Sequence, residues 1–261
     1  MDFTLKIYSQ FLETLQSQAY SFFTFQEYCE GKAKGKYVIL RHDIDKKPYN
    51  ALRIALLESK MGIRSTYFFL TLKEIFKPTV IKEIAGLGHE IGYHYRDFVD
   101  ADGNSEKAIQ SFQTNLFKLK SIVIINTIAM DGCPWSKYDN KDLWKTHNYK
   151  DFGIIGEPYF DIDFNHLHYL TDTGRMWDGE RYSVRDKVTS RDDASNVSTV
   201  NYHNTNDLIT AIQKGNFPLQ LMITTHPQRW TDNKLEWMQE LILQRIKNFV
   251  KIFLVKRFRR S

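Results

Sequence analysis

Cysteine is scarce in this chain, which has two cysteines, Cys29 and Cys133, among 261 residues. Two cysteines so far apart exclude a disulfide framework and fit a reducing compartment. Long hydrophobic runs are also missing: the longest nearly apolar stretch, residues 122–130, is far shorter than the roughly 20 residues of a membrane helix. Residues 1–6 lack the basic and then apolar pattern of a secretory signal. We therefore expect a soluble cytoplasmic protein without a membrane span.

No linker rich in proline, glycine or serine divides the sequence, so we expect a single domain over residues 1–261. A hydrophobic content of 42% and an aromatic content of 14% exclude a disordered chain. The formal net charge is +5, and basic residues concentrate from Lys247 onwards. A basic segment of this kind is able to bind nucleic acid or an anionic membrane surface. A solvated helix face with a frayed end is the commoner explanation. We therefore expect no nucleic-acid partner.

Apolar strand patterns alternate with amphipathic helix patterns along most of the chain. The predicted strands comprise residues 37–40, 66–70, 90–94, 127–130, 152–155 and 219–224, and the predicted helices comprise residues 47–61, 78–87, 105–119, 206–213 and 233–254. Repeated strand–helix units imply parallel strands joined by right-handed crossovers, in a barrel or an open sheet. The sequence therefore predicts an α/β fold.

Acidic and histidine side chains follow four predicted strands, where parallel α/β folds place their reactive groups. They are Asp43 and Asp45 after the first strand, His94 after the third, Asp131 after the fourth and His226 after the last. Because Asp43 and Asp45 are two residues apart, an extended backbone points both carboxylates to the same side. Two adjacent carboxylates repel unless a cation lies between them or one holds a proton. One is thus a candidate metal ligand and the other a candidate general base.

Each of these residues also has a purely structural interpretation. Asp45 precedes Pro48 closely enough to be a helix N-cap, and a lone histidine such as His94 is more often structural than a ligand. His226 precedes Pro227, which ends the strand. An imidazole at that rim suits proton transfer near neutral pH, although a hydrogen-bonded strand-end histidine is equally open. The convergence of four strand ends favours a functional site.

Segments 38–45, 62–69 and 88–94 and the late His226–Pro227 pair resemble, in order, the polysaccharide deacetylase family, which is the chitooligosaccharide-deacetylase homology group of carbohydrate esterases. The match is closest to the branch with an Asp-x-Asp first motif, and it covers most of the chain. The resemblance implies a distorted (β/α) barrel with an incomplete count of about seven strands. It also implies a bound divalent cation, usually zinc, and removal of an N-acetyl group from a sugar.

The resemblance assigns roles to matching residues: Asp43 is the catalytic base, Asp45 and His94 are metal ligands, and His226 protonates the departing amine. The family's second metal histidine would fall on Phe98, which cannot bind a metal. Asp131, or alternatively Asp97, is then the candidate third ligand, which makes a harder site that is less selective for zinc. The candidate rings for stacking on the sugar are Tyr95, Trp135 and Trp230. Simple packing is the alternative role for these rings. A polar cluster of Asp172, Arg175 and Trp177 is a further candidate for the rim.

Two hypotheses follow. The first is a metal-dependent hydrolase that removes an N-acetyl group from a sugar or polysaccharide precursor, with a carbohydrate as its substrate. The second is a catalytically inactive barrel of the same type that binds a glycan or a partner protein. Two departures from the family pattern favour it: Phe98 in place of the second metal histidine, and Asp131 where closer-looking relatives carry a histidine.

Overall fold

A computed structural model describes residues 1–177 and 202–258, with side chains as far as residue 250. The strands in these ranges are β1 (Ser21–Phe23), β2 (Tyr37–Ile44), β3 (Thr66–Phe69), β4 (Glu90–Tyr95), β5 (Ile128–Met130), β6 (His168–Thr171) and β7 (Gln220–Thr225). The α-helices are α1 (Leu5–Ser17), α2 (Phe25–Cys29), α3 (Pro48–Lys60), α4 (Pro78–Gly86), α5 (Asp97–Asp100), α6 (Ser105–Lys120), α7 (Pro158–Asp161), α8 (Thr205–Gln213) and α9 (Lys234–Phe258).

The strands form one curled parallel sheet in the order β5-β4-β3-β2-β7-β6, and β1 pairs with the first half of β2. Helices flank the sheet, and among the described residues no strand pairing joins β5 to β6. The prediction of a distorted (β/α) barrel with about seven strands is therefore confirmed. Among the described helices, none combines the length and the apolar character of a membrane span.

One predicted strand, residues 152–155, is wrong. Tyr149–Phe152 is a 3-10 helix, and the chain then meets the sheet through a single bridge between Thr127 and Gly156. Helix α1 and strand β1 were not predicted: β1 has three residues, too few for an alternating pattern to stand out. The main strands and the helices between them lie where the periodicity placed them.

Side-chain alternation divides each central strand between two layers. On β2, Leu40 and Ile44 belong to the large apolar core between sheet and helices. Ile39 belongs to a smaller cluster on the inner side of the curl. Arg41 and Asp43 follow Ile39 at two-residue steps, so β2 carries both onto the inner side at its carboxyl end.

A buried carboxylate, Glu58 of α3, organises the helix-facing layer behind the site. It accepts hydrogen bonds from His42 Nε2 at 2.9 Å and from the Tyr67 hydroxyl at 2.7 Å, and from the hydroxyls of Tyr8 and Ser65. Burial alone would raise the pKa of Glu58, but His42 and these donors outweigh it and lower the pKa to about 2. The network ties α1 and α3 to β2 and β3.

Gly92 of β4 is a close-packing point beneath the site. A Cβ there would lie 2.3 Å from the Phe68 ring and 3.1 Å from the Thr127 carbonyl oxygen. The Phe68 ring packs in turn against the Arg41 guanidinium, 5.2 Å from its centroid. We therefore expect Gly92→Ala to lower the free energy of unfolding by about 1–3 kcal/mol, measured by urea denaturation.

The matched control is Gly86→Ala in α4, where no atom lies within 4 Å of the added Cβ. It should leave the stability unchanged or raise it slightly, because alanine is the better helix former. A Gly92→Ala protein as stable as the wild type would contradict the close contact between β4 and Phe68.

Candidate active site

A cleft of about 210 Å³ opens at the carboxyl ends of the strands. It is lined by five predicted site residues, which come from the ends of four strands: Asp43, Asp45, His94, Asp131 and His226. Residues up to 183 positions apart in sequence thus face one space.

Asp43 is held by its strand neighbour Arg41. The Arg41 Nε and terminal nitrogens donate to the two carboxylate oxygens of Asp43 at 2.7 and 2.8 Å, a bidentate pair. Both side chains are buried, and the Arg41 guanidinium also faces the rings of Phe68 and Tyr159. The orientation of the Asp43 carboxylate is therefore fixed before any substrate arrives.

Asp45 and His94 form the second element of the site. His94 Nδ1 lies 2.9 Å from the Ala129 carbonyl oxygen, which assigns the ring proton to Nδ1 in the neutral form. His94 Nε2 then faces Asp45 Oδ1 at 3.4 Å. Two ligands of a tetrahedral ion at about 2.1 Å each lie roughly 3.4 Å apart, so this donor pair suits a divalent cation.

Negative charge is concentrated around His94. Burial alone would lower the pKa of His94, but Asp43, Asp45 and Asp131 outweigh it and raise the pKa to about 9. Burial alone would likewise raise the pKa of Asp45, but His94 and His226 hold it well below its usual range. The field in the cleft therefore favours cations.

In the described structure, Asp131 does not complete a three-ligand metal site with Asp45 and His94. Asp131 Oδ1 accepts the Cys133 backbone N–H at 3.1 Å, and its Oδ2 lies 3.5 Å from the Arg96 guanidinium. Among residues 1–177 and 202–258, no group of three or more His, Cys, Asp or Glu side chains converges on one point. Asp45 and His94 alone therefore make a two-donor site, with Asp131 lining the same cleft.

The alternative ligand Asp97 lies away from the cleft. Its carboxylate accepts hydrogen bonds from the hydroxyls of Tyr93 and Ser111, both at 2.6 Å, and from the Asn115 amide at 2.8 Å. Tyr93 belongs to the helix-facing core, and Asp97 does not line the cleft. Asp97 is thus a structural residue at the start of α5.

His226 forms the third element, together with Asp172. His226 Nδ1 lies 2.6 Å from Asp172 Oδ1, and its backbone N–H donates to Asp172 Oδ2 at 3.0 Å. The indole of Trp230 and the guanidinium of Arg229 also donate to this carboxylate. Burial alone would raise the pKa of Asp172, but Arg229 and His226 lower it to about 2. An ionised Asp172 therefore orients the His226 ring so that its Nε2 faces Asp45 Oδ2 at 3.8 Å.

Asp172 is the main site residue whose role sequence reasoning missed, since it was placed only in a polar cluster near the rim. It directly follows β6, whose last residue is Thr171. The strand-end rule that selected the other residues would have selected Asp172 if the short β6 had been delimited.

Two of the three predicted sugar-stacking rings do not line the cleft. Tyr95 is fully buried on the helix side of β4, where its ring packs against Phe112 and Trp144. Trp230 is 1% exposed, and its indole nitrogen is bonded to Asp172. Neither ring has a free face for a ligand. Trp135 alone of the three lines the cleft, and it is 58% exposed.

Comparison with protein-family models and with curated proteins finds no match. Among solved structures, the chain is similar to a CE4 esterase from Streptococcus mutans, at 14% identity and a TM-score of 0.46 over 90% of each chain. It is also similar to Bacillus subtilis PdaA, a family 4 carbohydrate esterase, at 13% identity and a TM-score of 0.40 over 90% of this chain and 84% of that one.

A CE4 family pseudoenzyme from Bacillus anthracis is similar at 14% identity and a TM-score of 0.43, over 80% of this chain and 60% of that one. The chain therefore spans about three fifths of the length of the pseudoenzyme. At these identities the likeness concerns the course of the backbone and assigns no residue a role. The solved structures that resemble this chain are family 4 carbohydrate esterases, the polysaccharide deacetylases, and their similarity to it is one of fold.

Proposed function

We propose that this protein is a metal-dependent hydrolase that removes an N-acetyl group from a sugar or polysaccharide precursor. One observation carries the proposal: an Arg-held carboxylate, an imidazole–carboxylate donor pair and a carboxylate-oriented imidazole face one cleft. Hydrolysis of an amide needs a proton acceptor for water, a polariser for the carbonyl and a proton donor for the amine. The three elements match these three tasks.

Asp43 accepts a proton from the attacking water, whose oxygen forms a bond to the acetyl carbon. His226 Nε2 donates a proton to the sugar nitrogen as the carbon–nitrogen bond breaks, so that acetate and a free amine leave. Asp172 stabilises the protonated ring of His226, and Arg41 keeps Asp43 aimed into the cleft. Both proton transfers are thus served by buried, preoriented side chains, each transfer contributing typically 100- to 10,000-fold.

Asp45 and His94 would hold the divalent cation, with Asp131 as the further carboxylate of the cleft. Such a cation supplies Lewis acidity to the carbonyl and lowers the pKa of water. One imidazole and two carboxylates make a harder donor set than two imidazoles and one carboxylate, so selectivity for zinc should be modest.

The cleft also offers groups for a sugar. Trp135 presents an exposed ring for stacking. Gln228 is buried, lines the cleft and, within the described part of the chain, has no hydrogen-bond partner for its Oε1. An amide oxygen in this position suits a sugar hydroxyl as donor.

The direct test is acetate release from N-acetylated chitooligosaccharides by the purified protein, after chelation and after readdition of Zn²⁺, Co²⁺ or Mg²⁺. The proposal expects acetate and free amine in equal amounts, lost on chelation and restored by a divalent ion. Failure of every N-acetylated sugar to yield acetate in the presence of bound metal would refute it.

The second candidate is a glycan-binding barrel without catalysis. One observation favours it: the described residues form no three-donor metal centre. In that case oligosaccharide binding persists, no divalent ion is retained, and no acetate appears.

Asp172→Asn tests the positioning of His226. Asparagine keeps the shape but loses the charge that stabilises protonated His226, so we expect kcat to fall by roughly 100-fold or more, with little change in KM. A merely structural role would leave the pH dependence of kcat/KM unmoved, whereas here its basic limb should shift to lower pH. Asp163→Asn, at an exposed site, is the matched control.

A further inference from the structure

We infer that the sugar substrate carries a negative charge, a carboxylate or a phosphate, which is bound at the mouth of the cleft by Lys46 and Lys247. The inference rests on the proposed function in taking that anion to belong to the substrate. Lys46 and Lys247 take no part in the catalytic scheme.

Lys46 and Lys247 line the cleft together, one from the loop after β2 and one from α9. Burial lowers the pKa of Lys247, and the neighbouring Lys46 ammonium lowers it further, against a smaller opposing effect of Glu240. In the described residues no carboxylate lies within ion-pair distance, 4.0 Å, of either ammonium. Two adjacent like charges at a cleft mouth are unfavourable unless an anion joins them.

A buried donor in the same cleft supports the inference. Arg229 is 7% exposed and binds Asp172 through one terminal nitrogen, at 2.8 Å to the backbone oxygen. Its Nε–H has no hydrogen-bond partner in the described part of the chain. A buried N–H without an acceptor is costly, so this nitrogen is a donor that an oxygen of a ligand in the cleft would satisfy. An anionic oxygen would accept a hydrogen bond from this N–H and would also balance the charge of the lysine pair.

The neighbouring carboxylates do not cancel the positive charge of the lysine pair. Asp43 is neutralised by Arg41 and Asp172 by Arg229, and Asp131 faces Arg96. Asp45 faces His94 and His226. Glu240 also lines the cleft and attracts Lys247, but one carboxylate beside two lysines leaves an excess of positive charge. We expect this excess to select substrates by charge.

The test is calorimetric binding of three N-acetylated sugars to the full chain. N,N′-diacetylchitobiose is neutral, N-acetylmuramic acid carries a carboxylate, and UDP-N-acetylglucosamine carries phosphates. We expect at least one anionic sugar to bind about tenfold or more tightly than the neutral one at low salt, with a preference that falls as salt rises. The anionic sugar that binds more tightly shows whether the site prefers a carboxylate or a phosphate.

The double variant Lys46→Gln, Lys247→Gln should lose that preference and keep its affinity for the neutral sugar. The control Lys234→Gln, Arg245→Gln removes two exposed charges from α9 outside the cleft and should keep the preference. Equal binding of neutral and anionic sugars, or an undiminished preference in the double variant, would overturn the inference. Acetate measured in the same samples separates the two proposals: selective binding without acetate refutes the hydrolase and leaves the anion site standing.

Discussion

Asp43→Asn is expected to lower kcat for N-deacetylation by roughly 100- to 10,000-fold, because the amide cannot accept the proton of the attacking water. Asparagine has the same shape and can still accept from Arg41 through its oxygen, so the cleft should keep its form. KM should change little, since the proton transfer occurs in the transition state.

The measurement is steady-state acetate release, accompanied by metal analysis of the same preparation. Asp151→Asn, at an exposed position in the 3-10 helix Tyr149–Phe152, serves as the matched control and should retain full activity. An Asp43→Asn protein that keeps its metal and its full kcat would show that another group accepts the proton.

Glu58→Ala is expected to lower the free energy of unfolding by about 3–5 kcal/mol. The substitution removes the shared acceptor of His42, Tyr67, Ser65 and Tyr8, and each of these buried donors then lacks its partner. Chemical denaturation followed by tryptophan fluorescence measures the change. Glu83→Ala, on the exposed side of α4, should stay within about 0.5 kcal/mol of the wild type.

The contribution of Glu58 should also depend on pH in a defined direction. Its folded pKa of about 2 lies below the usual unfolded value of about 4.3. The stability gained from ionised Glu58 is therefore present above the unfolded pKa and is lost as pH falls towards 2. Should Glu58→Ala fail to fold, Glu58→Gln gives the same comparison. An unchanged difference between wild type and variant from pH 7 to pH 3 would contradict the depressed pKa.

The strand-end positions of the site residues could be predicted because hydrophobic periodicity and breakers locate strands, and parallel strands share one edge. This reasoning places Asp43, Asp45 and His226 in a common cleft without any knowledge of contacts. The same alternation, applied one residue further along β4, excludes Tyr95: it neighbours His94 and so must point to the opposite face.

Other features depend on packing that a single sequence does not display. The burial of Trp230 follows from the rings of Phe3 and Tyr8, whose centroids lie 4.8 and 5.0 Å away. Phe3 lies just before α1 and Tyr8 lies within it, both far from Trp230 in sequence. The partners of Asp131 depend on the loop after β5, where the Cys133 backbone N–H takes one oxygen. Hydrophobic periodicity therefore does not predict side-chain positions to within an ångström, even where it places the strands correctly.

Whether Asp45 and His94 hold a divalent cation in this cleft can be measured by calorimetric titration of the metal-free protein with Zn²⁺. We expect one ion per chain, with affinity reduced at least tenfold in Asp45→Ala and in His94→Ala, because each variant removes one of the two donors. The variant Asp163→Ala, His166→Ala removes an exposed His–Asp pair and should bind as the wild type does. Wild-type affinity in both Asp45→Ala and His94→Ala, or no bound ion in the wild type, would contradict the assignment of these two ligands.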